Sequence, residues 1–487
     1  MAPLNSMKYG VAALCTVISL TACTVGPDYV RPGTQTPVAF KENEGWKVAQ
    51  PKDSINRGAW WEVFNDPKLN ELEQQVDISN QNLAAAEAQF RQAVAAVQAS
   101  RAAYFPTVAA GTSASRSRQS ANLAGARGSS SPVNDFQLTG TASWELDLWG
   151  KVRRTVEASK ASAQASAADL ELARLSAQAQ LAQDYLQLRT LDELKDLLDT
   201  TVGTYQTFLD LTKNRYASGI ASRSDVLQAE TQLKAAQAQS VETGVQRAQM
   251  EHAIALLLGK PASEFSIPPA KMTAVLPSIP AGLPSELLER RPDIAAAERF
   301  VASANAQIGV AEAAYYPTIT LNASGGFEAS DVAKWFSWPS RLWALGPAVL
   351  QDTIFDAGLR RAQTEQARAA YDANVANYRQ TVLTAFQEVE DNLSTLRILE
   401  QEMHVQEEAV RAAKESLSVT TNRYKAGIAS ALDVIVTQNI ALSNEVTAVN
   451  LHGRRLAASV LLIQAIGGGW SASELPSLDS TKKVKQP

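Results

Sequence analysis

The stretch Asn214-Arg-Tyr-Ala-Ser-Gly-Ile-Ala-Ser-Arg-Ser-Asp-Val226 returns 208 positions later as Asn422-Arg-Tyr-Lys-Ala-Gly-Ile-Ala-Ser-Ala-Leu-Asp-Val434. One unit is therefore written twice in this chain. Gly219 and Gly427 suit the left-handed residue that ends a helix, and Ser222-x-x-Asp225 and Ser430-x-x-Asp433 read as capping boxes that start the next one. Each copy thus predicts the tip of a helical hairpin, with a turn so short that its two arms run antiparallel. A well-made turn accounts for the Gly and Ser; it leaves the recurrence of Arg, Tyr and Asp unexplained.

Outward from the tips, no proline occurs between Pro132 and Pro261 or between Pro347 and Pro476, 128 residues each time. Both gaps centre on a repeated tip. All nine Trp lie outside 150–334 and 344–469. Within the arms, Leu194, Leu198, Val202, Tyr205, Leu209 and Tyr216, and then Val375, Tyr378, Val382, Phe386, Val389, Leu393 and Leu396, step by three and four. That spacing is a coiled-coil seam, and the abundant Ala around it predicts helices that pack on two sides. Spans 151–217 and 359–425 predict continuous helices of about 100 Å at 1.5 Å per residue. The return arms 222–258 and 430–466 are shorter, at about 55 Å, so each needs a second helix stacked on it to match. Helices over 80–104 and 292–315 supply these. They too are a repeat, Leu83-Ala-Ala-Ala-Glu87 matching Ile294-Ala-Ala-Ala-Glu298 and Tyr104-Phe-Pro-Thr107 matching Tyr315-Tyr-Pro-Thr318.

Beyond Pro106 and Pro317 the apolar period changes to two. Phe136, Leu138, Gly140, Ala142, Trp144, Leu146 and Leu148 alternate with polar residues, and Ile319, Leu321, Ala323 and Phe327 do so in the second copy. Such strands have one greasy and one wet face. Weaker partner strands are predicted over 107–117 and 343–355, the last in doubt because of Pro347, with loops over 119–134 and 329–342. A small sheet capping a soluble helical protein is the alternative reading of the alternation. Tyr104, Trp144, Trp149, Tyr315, Tyr316, Trp343 and Phe355, near strand ends, favour the barrel, because a membrane interface collects such aromatics. A bilayer tolerates no open sheet edge, and four strands cannot close a barrel. Two copies of the chain would give eight strands and three would give twelve.

The chain start reads as a secretory leader: Lys8, an apolar stretch from Val11 to Leu20, then Leu20-Thr21-Ala22-Cys23. Its apolar core is too short to span a bilayer. Small residues before Cys23 fit a bacterial lipoprotein processing site, leaving Cys23 lipid-modified and the mature chain with no second cysteine. Disulfide frameworks and thiolate metal clusters are excluded on that count. With Lys+Arg 45 against Asp+Glu 50 and a net charge of −5, nothing suggests a surface for nucleic acid. His252, His404 and His452 lack metal-ligand spacing, and no nucleophile motif or phosphate loop appears, so the reading is non-enzymatic, with no metal and no cofactor beyond the lipid. A soluble coiled-coil scaffold would explain the arms but neither the leader nor the amphipathic strands.

Cys23-Thr-Val-Gly-Pro-Asp-Tyr29, Trp144-Glu-Leu-Asp-Leu-Trp-Gly150, Leu288-Glu-Arg-Arg-Pro-Asp-Ile294, the two Arg-Tyr-x-x-Gly tips and Ile466-Gly-Gly-Gly-Trp470, in this order, resemble the TolC-like outer-membrane efflux proteins. The likeness covers nearly the whole chain and lies with the lipoprotein branch that includes OprM-, OprN- and CusC-like channels. It implies an α+β membrane protein: a homotrimer whose twelve-strand barrel, four strands per chain, continues through a mixed equatorial region into a twelve-helix periplasmic tunnel closed at rest. Expected segments are a signal peptide (1–22), a lipidated N-terminal and equatorial segment (23–79), repeat 1 (80–282), repeat 2 (283–470) and a tail (471–487). Implied partners are a periplasmic adaptor, an inner-membrane RND-type transporter and outer-membrane lipid. The implied gate is Asp433, Tyr424 and Arg423 facing Asp225 and Arg223, with Gly219, Ser222, Gly427 and Ser430 on the tips that an adaptor would grip. Ala429 and Val436 stand where some relatives carry charge. The implied activity is passive export of small molecules; protein secretion of the type I kind and heavy-metal cation efflux are the alternatives. Within this resemblance, three copies of Asp433 are expected to form a cation-favouring ring.

Overall fold

The computed structural model describes residues 24–42, 59–118, 120, 131–277, 279 and 284–478. Cys23, the leader and most of the first strand-joining loop lie outside them. Eight α-helices are described: α1 Pro67–Ser79, α2 Gln81–Ala102, α3 Lys151–Ala217, α4 Arg223–Leu257, α5 Pro284–Arg290, α6 Pro292–Ala313, α7 Leu359–Lys425 and α8 Ala431–Ala465. The strands are β1 Thr107–Ser117, β2 Val133–Glu145, β3 Thr318–Ala329 and β4 Arg341–Gln351.

The two 67-residue helices α3 and α7 are the long arms, about 100 Å each by helix rise. Their sheet-proximal ends are set by Gly150 and Gly358, at φ 85° and 89°. The matching columns are built from two pieces. Where α4 ends, the Asn80 amide that caps α2 donates to the Leu257 carbonyl at 2.8 Å, and Ser79 Oγ donates to the Leu258 carbonyl at 2.8 Å. In the second copy Arg291, at the head of α6, donates to the Ala465 carbonyl at 2.9 Å where α8 ends. Each joint satisfies carbonyls that a helix end leaves without partners.

Around these joints lies the main core, with Trp60, Phe64, Leu69, Tyr185, Leu188, Tyr378, Val389 and Leu393 all buried. It encloses a polar knot. Asp192 accepts from Arg189 Nη1 at 2.8 Å, Arg247 Nε at 2.6 Å and the Ala270 amide at 3.2 Å. Arg189 also donates to the Tyr185 hydroxyl at 3.1 Å and to the Pro268 carbonyl at 3.0 Å. Most of the predicted seam is buried or half-buried here and toward the tips. Tyr216 is the exception, 44 % exposed.

All four strands form one antiparallel sheet, in the order β1-β2-β3-β4. The register places Val108 beside Ala142 and Ala114 beside Phe136, then Leu138 beside Phe327 and Trp144 beside Leu321. One face is thereby a continuous apolar band, while Thr139, Thr141 and Ser143 point to the other. Pro347 is accommodated within β4 after all. The ladder skips from Leu321–Ala348 to Ala323–Leu345, so Pro347 needs no ladder partner, and Asn322 Nδ2 bonds its carbonyl at 3.2 Å. The extra residue also keeps Ala348 on the same face as Leu345 and Trp343. Aromatics gather at both ends of the band: Trp149 stacks on Tyr316 at 4.9 Å, while Trp335 stacks on Phe336 at 5.1 Å and touches Phe136. The second group comes partly from the 329–342 loop and was not foreseen from the sequence. Among the described residues no helix is long and apolar enough to cross a membrane.

Residues 24–42 form an irregular strap along the outside. The Val25 amide donates to the Trp149 carbonyl at 3.1 Å, Arg154 clasps Asp28 at 2.9 Å, and the Lys41 and Glu42 amides donate to Glu390. Gly26 crosses Gly309 so closely that a Cβ at Gly26 would stand 2.4 Å from Gly309 Cα, and its φ is 95°.

Candidate functional site at the hairpin tips

Both tips are built as their sequence dictates. Gly219 and Gly427 take φ of 75° and 80°. At the first, the Ser222 amide donates to Asp225 Oδ2 at 2.8 Å and the Asp225 amide to Ser222 Oγ at 3.2 Å. At the second, the Ser430 amide and hydroxyl both donate to Asp433 Oδ2, at 2.9 and 2.8 Å, and the Asp433 amide returns to Ser430 Oγ at 3.2 Å. Both aspartates are thus half-committed to their own helix starts. Ser430, and to a smaller extent Arg423, hold the Asp433 carboxyl below the usual carboxylate range. A depressed carboxyl stabilises the fold above its unfolded pKa. The second cap is therefore intact at neutral pH and is lost only as pH falls through the lowered value.

Arg223, Arg423, Ser222 and Ser430 are exposed, as are both glycines. Tyr424 is not: it is 4 % exposed and belongs to the apolar cluster that joins the two hairpins. Its ring meets Phe208 at 5.4 Å, and the Arg215 guanidinium lies 4.5 Å over it. Arg215 Nη1 also donates to the Tyr424 carbonyl at 2.6 Å, and Thr212 Oγ1 lies 3.4 Å from the Tyr424 hydroxyl. The resemblance groups Tyr424 with Arg423 in a gate; within one chain, the arginine that bonds Tyr424 is Arg215, from the other copy of the motif. Its recurrence in both Arg-Tyr pairs was the available signal, and the equal standing of the two copies concealed it. Gln232 and Asn439, on α4 and α8, bond side chain to side chain a little further from the tip.

The profile of the outer membrane efflux protein family matches this chain twice, over residues 72–260 and 283–468. The chain belongs to the outer membrane efflux protein family. The two matches coincide with the duplication that sets the two hairpins side by side. The antibiotic efflux pump outer membrane protein ArpC of Pseudomonas putida is 31% identical over 458 residues, 93% of this chain and 94% of that one. The toluene efflux pump outer membrane protein TtgC, also of Pseudomonas putida, is equally similar, 31% over 458 residues with the same shares covered. Among solved structures, the outer-membrane channel OprN superposes with a TM-score of 0.86 at 30% identity, covering 92% of this chain and 100% of that one. As a member of this family the protein is an outer-membrane efflux channel.

Proposed function

We propose that three copies pool their sheets into a twelve-strand outer-membrane barrel, which continues as a twelve-helix periplasmic tunnel and serves as a passive exit for small molecules. The observation that carries this is the sheet: one apolar face, two open edges at β1 and β4, and strands that run directly into 67-residue helices. Open edges are untenable in hydrocarbon, and further copies of the same sheet close them. One chain alone exposes 28608 Å², against about 17,500 Å² expected for a compact monomer of its mass. Surface on that scale suits a subunit of a larger tube. A periplasmic adaptor at the tips and an RND-type inner-membrane transporter would complete the path, and the names of the antibiotic and toluene efflux relatives support small-molecule cargo.

The strap supports a lipid anchor at Cys23. Val25, two residues after Cys23 in sequence, is bonded to Trp149 beside the Trp149–Tyr316 stack at one end of the apolar band. A thioether-linked lipid on Cys23 would anchor this end of the chain to the membrane.

Expressed in an efflux strain stripped of its own outer-membrane channels, the protein is expected to restore export of a dye or antibiotic by a resident pump and adaptor. The purified protein is expected to migrate as a heat-modifiable oligomer. A monomer that neither conducts in a planar bilayer nor restores export would defeat the proposal.

For the Asp433 ring, the expected result is a lower preference for cations in Asp433→Ala. If that variant, recorded in planar bilayers at neutral pH, keeps the wild-type reversal potential, Asp433 is a helix cap alone.

A further inference from the structure

We infer that the closed barrel carries, at each junction between copies, a binding site for the phosphate of an outer-leaflet lipid, formed by Arg341 of one copy and Arg116 of the next. This rests on the barrel reading above.

The four strands hold two basic residues, one on each edge strand: Arg116 in β1 and Arg341 in β4. Both lie on the apolar face. Arg341 pairs with Phe327, itself the partner of Leu138, and Arg116 lies two positions beyond Ala114, the partner of Phe136. The three carboxylates of the strands all turn the other way, Asp135 and Glu145 in step with Gln137, and Glu328 as its partner. The face offered to lipid therefore bears two cations and no anion. Both arginines are exposed, and among the described residues neither meets a carboxylate. Arg341 Nε donates to the Trp338 carbonyl at 3.3 Å and its guanidinium lies over the Trp338 ring, which leaves both Nη groups to a ligand.

The stagger of the sheet brings the two together. At its base, Thr107 of β1 is level with Ser143 and Asn322, four positions above Thr318, where β3 begins and β4 ends (322 − 318 = 4). At its top, Arg341 is level with Phe327, Leu138 and Thr112, five positions below Ser117 (117 − 112 = 5). Three strand steps thus lower the ladder by four to five positions, the slant that a closed barrel needs, and the step onto β1 of the next copy adds about one or two more. Only an even offset keeps both apolar faces on one side. An offset of four sets Arg341 opposite Arg116 (112 + 4 = 116); one of six sets it opposite residue 118, with Arg116 on the diagonal. Opposite residues stand about 5 Å apart and diagonal ones about 7–8 Å, both within reach of long side chains. Like charges so placed destabilise the junction, and the anion that relieves them has to come from outside the protein. Val108 to Arg116 and Arg341 to Leu350 run about 26–30 Å along their strands, or about 20–23 Å of height at a tilt of roughly 40°. The arginines therefore stand at the rim of an apolar band about 25 Å tall, at the level of lipid phosphates. The helices leave from the opposite end, so this rim is the outer one. Paired guanidinium groups hold phosphate through charge-assisted hydrogen bonds, and Trp343 and Leu345 below them, exposed by 77% and 83%, offer the acyl chains an apolar bed.

Native mass spectrometry of the full-length protein in detergent tests this, with bisphosphorylated lipid A as the probe. The oligomer is expected to retain one lipid per junction, and lipid A stripped of its phosphates to bind at least about tenfold more weakly. Arg116→Gln and Arg341→Gln should each weaken binding about tenfold, as expected for losing one charge-assisted contact. Arg379→Gln, an exposed arginine on α7 far from the strands, should leave it unchanged. Wild-type affinity in both strand variants, equal binding of the dephosphorylated lipid, or lipid carried equally by single chains overturns the site. Inorganic phosphate competing as well as lipid A would make it a free-anion site and overturn the lipid. If the protein gives no oligomer, the barrel reading fails and takes the site with it; an intact oligomer indifferent to both substitutions sinks the site alone.

Discussion

Tyr424→Ala opens the tip: its expected phenotype is a conductance well above wild type in planar bilayers, with cells becoming permeable to large hydrophilic antibiotics. The substitution removes a ring that is 4 % exposed, its contact with Phe208 and its place beneath Arg215. Truncating a buried aromatic costs about 3–5 kcal/mol, more than a closed-to-open bias of a few kcal/mol can absorb. Tyr424→Phe loses only the 3.4 Å approach to Thr212 and is expected to conduct like wild type. Should Tyr424→Ala keep wild-type conductance and antibiotic resistance, the hairpins are being held together somewhere other than at this ring.

The largest loss of stability is expected from Asp192→Ala. This carboxylate is 8% exposed and accepts from Arg189, Arg247 and a backbone amide, so its removal takes from buried Arg189 its ion-pair partner and leaves Arg247 with Glu251 as its one carboxylate. Breaking a buried pair from one side costs about 3–5 kcal/mol. Denaturant unfolding of the detergent-solubilised protein, compared with Lys195→Ala, measures it. The Lys195–Asp199 pair is exposed on a helix surface, where such pairs contribute about 0.3–0.5 kcal/mol. Equal losses from the two variants would mean that the equatorial knot contributes no more than a surface pair.

Features carried by local backbone chemistry were legible in the sequence. The tips follow from Gly219 and Gly427 with their Ser-x-x-Asp boxes, which act within a few residues, and the long helices from proline-free runs that end at glycines. The stacking of short helices was legible from arithmetic on lengths. What depended on distant partners was not. Nothing in the order of residues says that Pro347 would face a skipped rung at Asn322, because a bulge belongs to a pair of strands. The strap has no periodicity to read. Glu73 lies in an ordinary helical stretch, yet it is wholly buried without a hydrogen-bond partner, and burial raises its carboxyl well above the usual range. At the tips, the Asn-Arg-Tyr-x-x-Gly shared by both copies does not say that Arg215 reaches across to Tyr424, a choice made by hairpin packing that leaves Tyr216 exposed and Tyr424 buried.

The columns assembled from two helices give each hairpin one stiff leg and one jointed leg. A joint is a place where a beam bends without breaking backbone hydrogen bonds, and each joint lies one 35-residue helix from its tip, where Asn80 meets Leu257 and Arg291 meets Ala465. The part beyond the first joint is 35 residues long. As a lever of about 50 Å, it would turn a tilt of roughly 10° into about 9 Å of travel at the tip. In the proposed tube, such a movement would dilate the tips with the pivot at mid-height, and the end held in the membrane need not feel it.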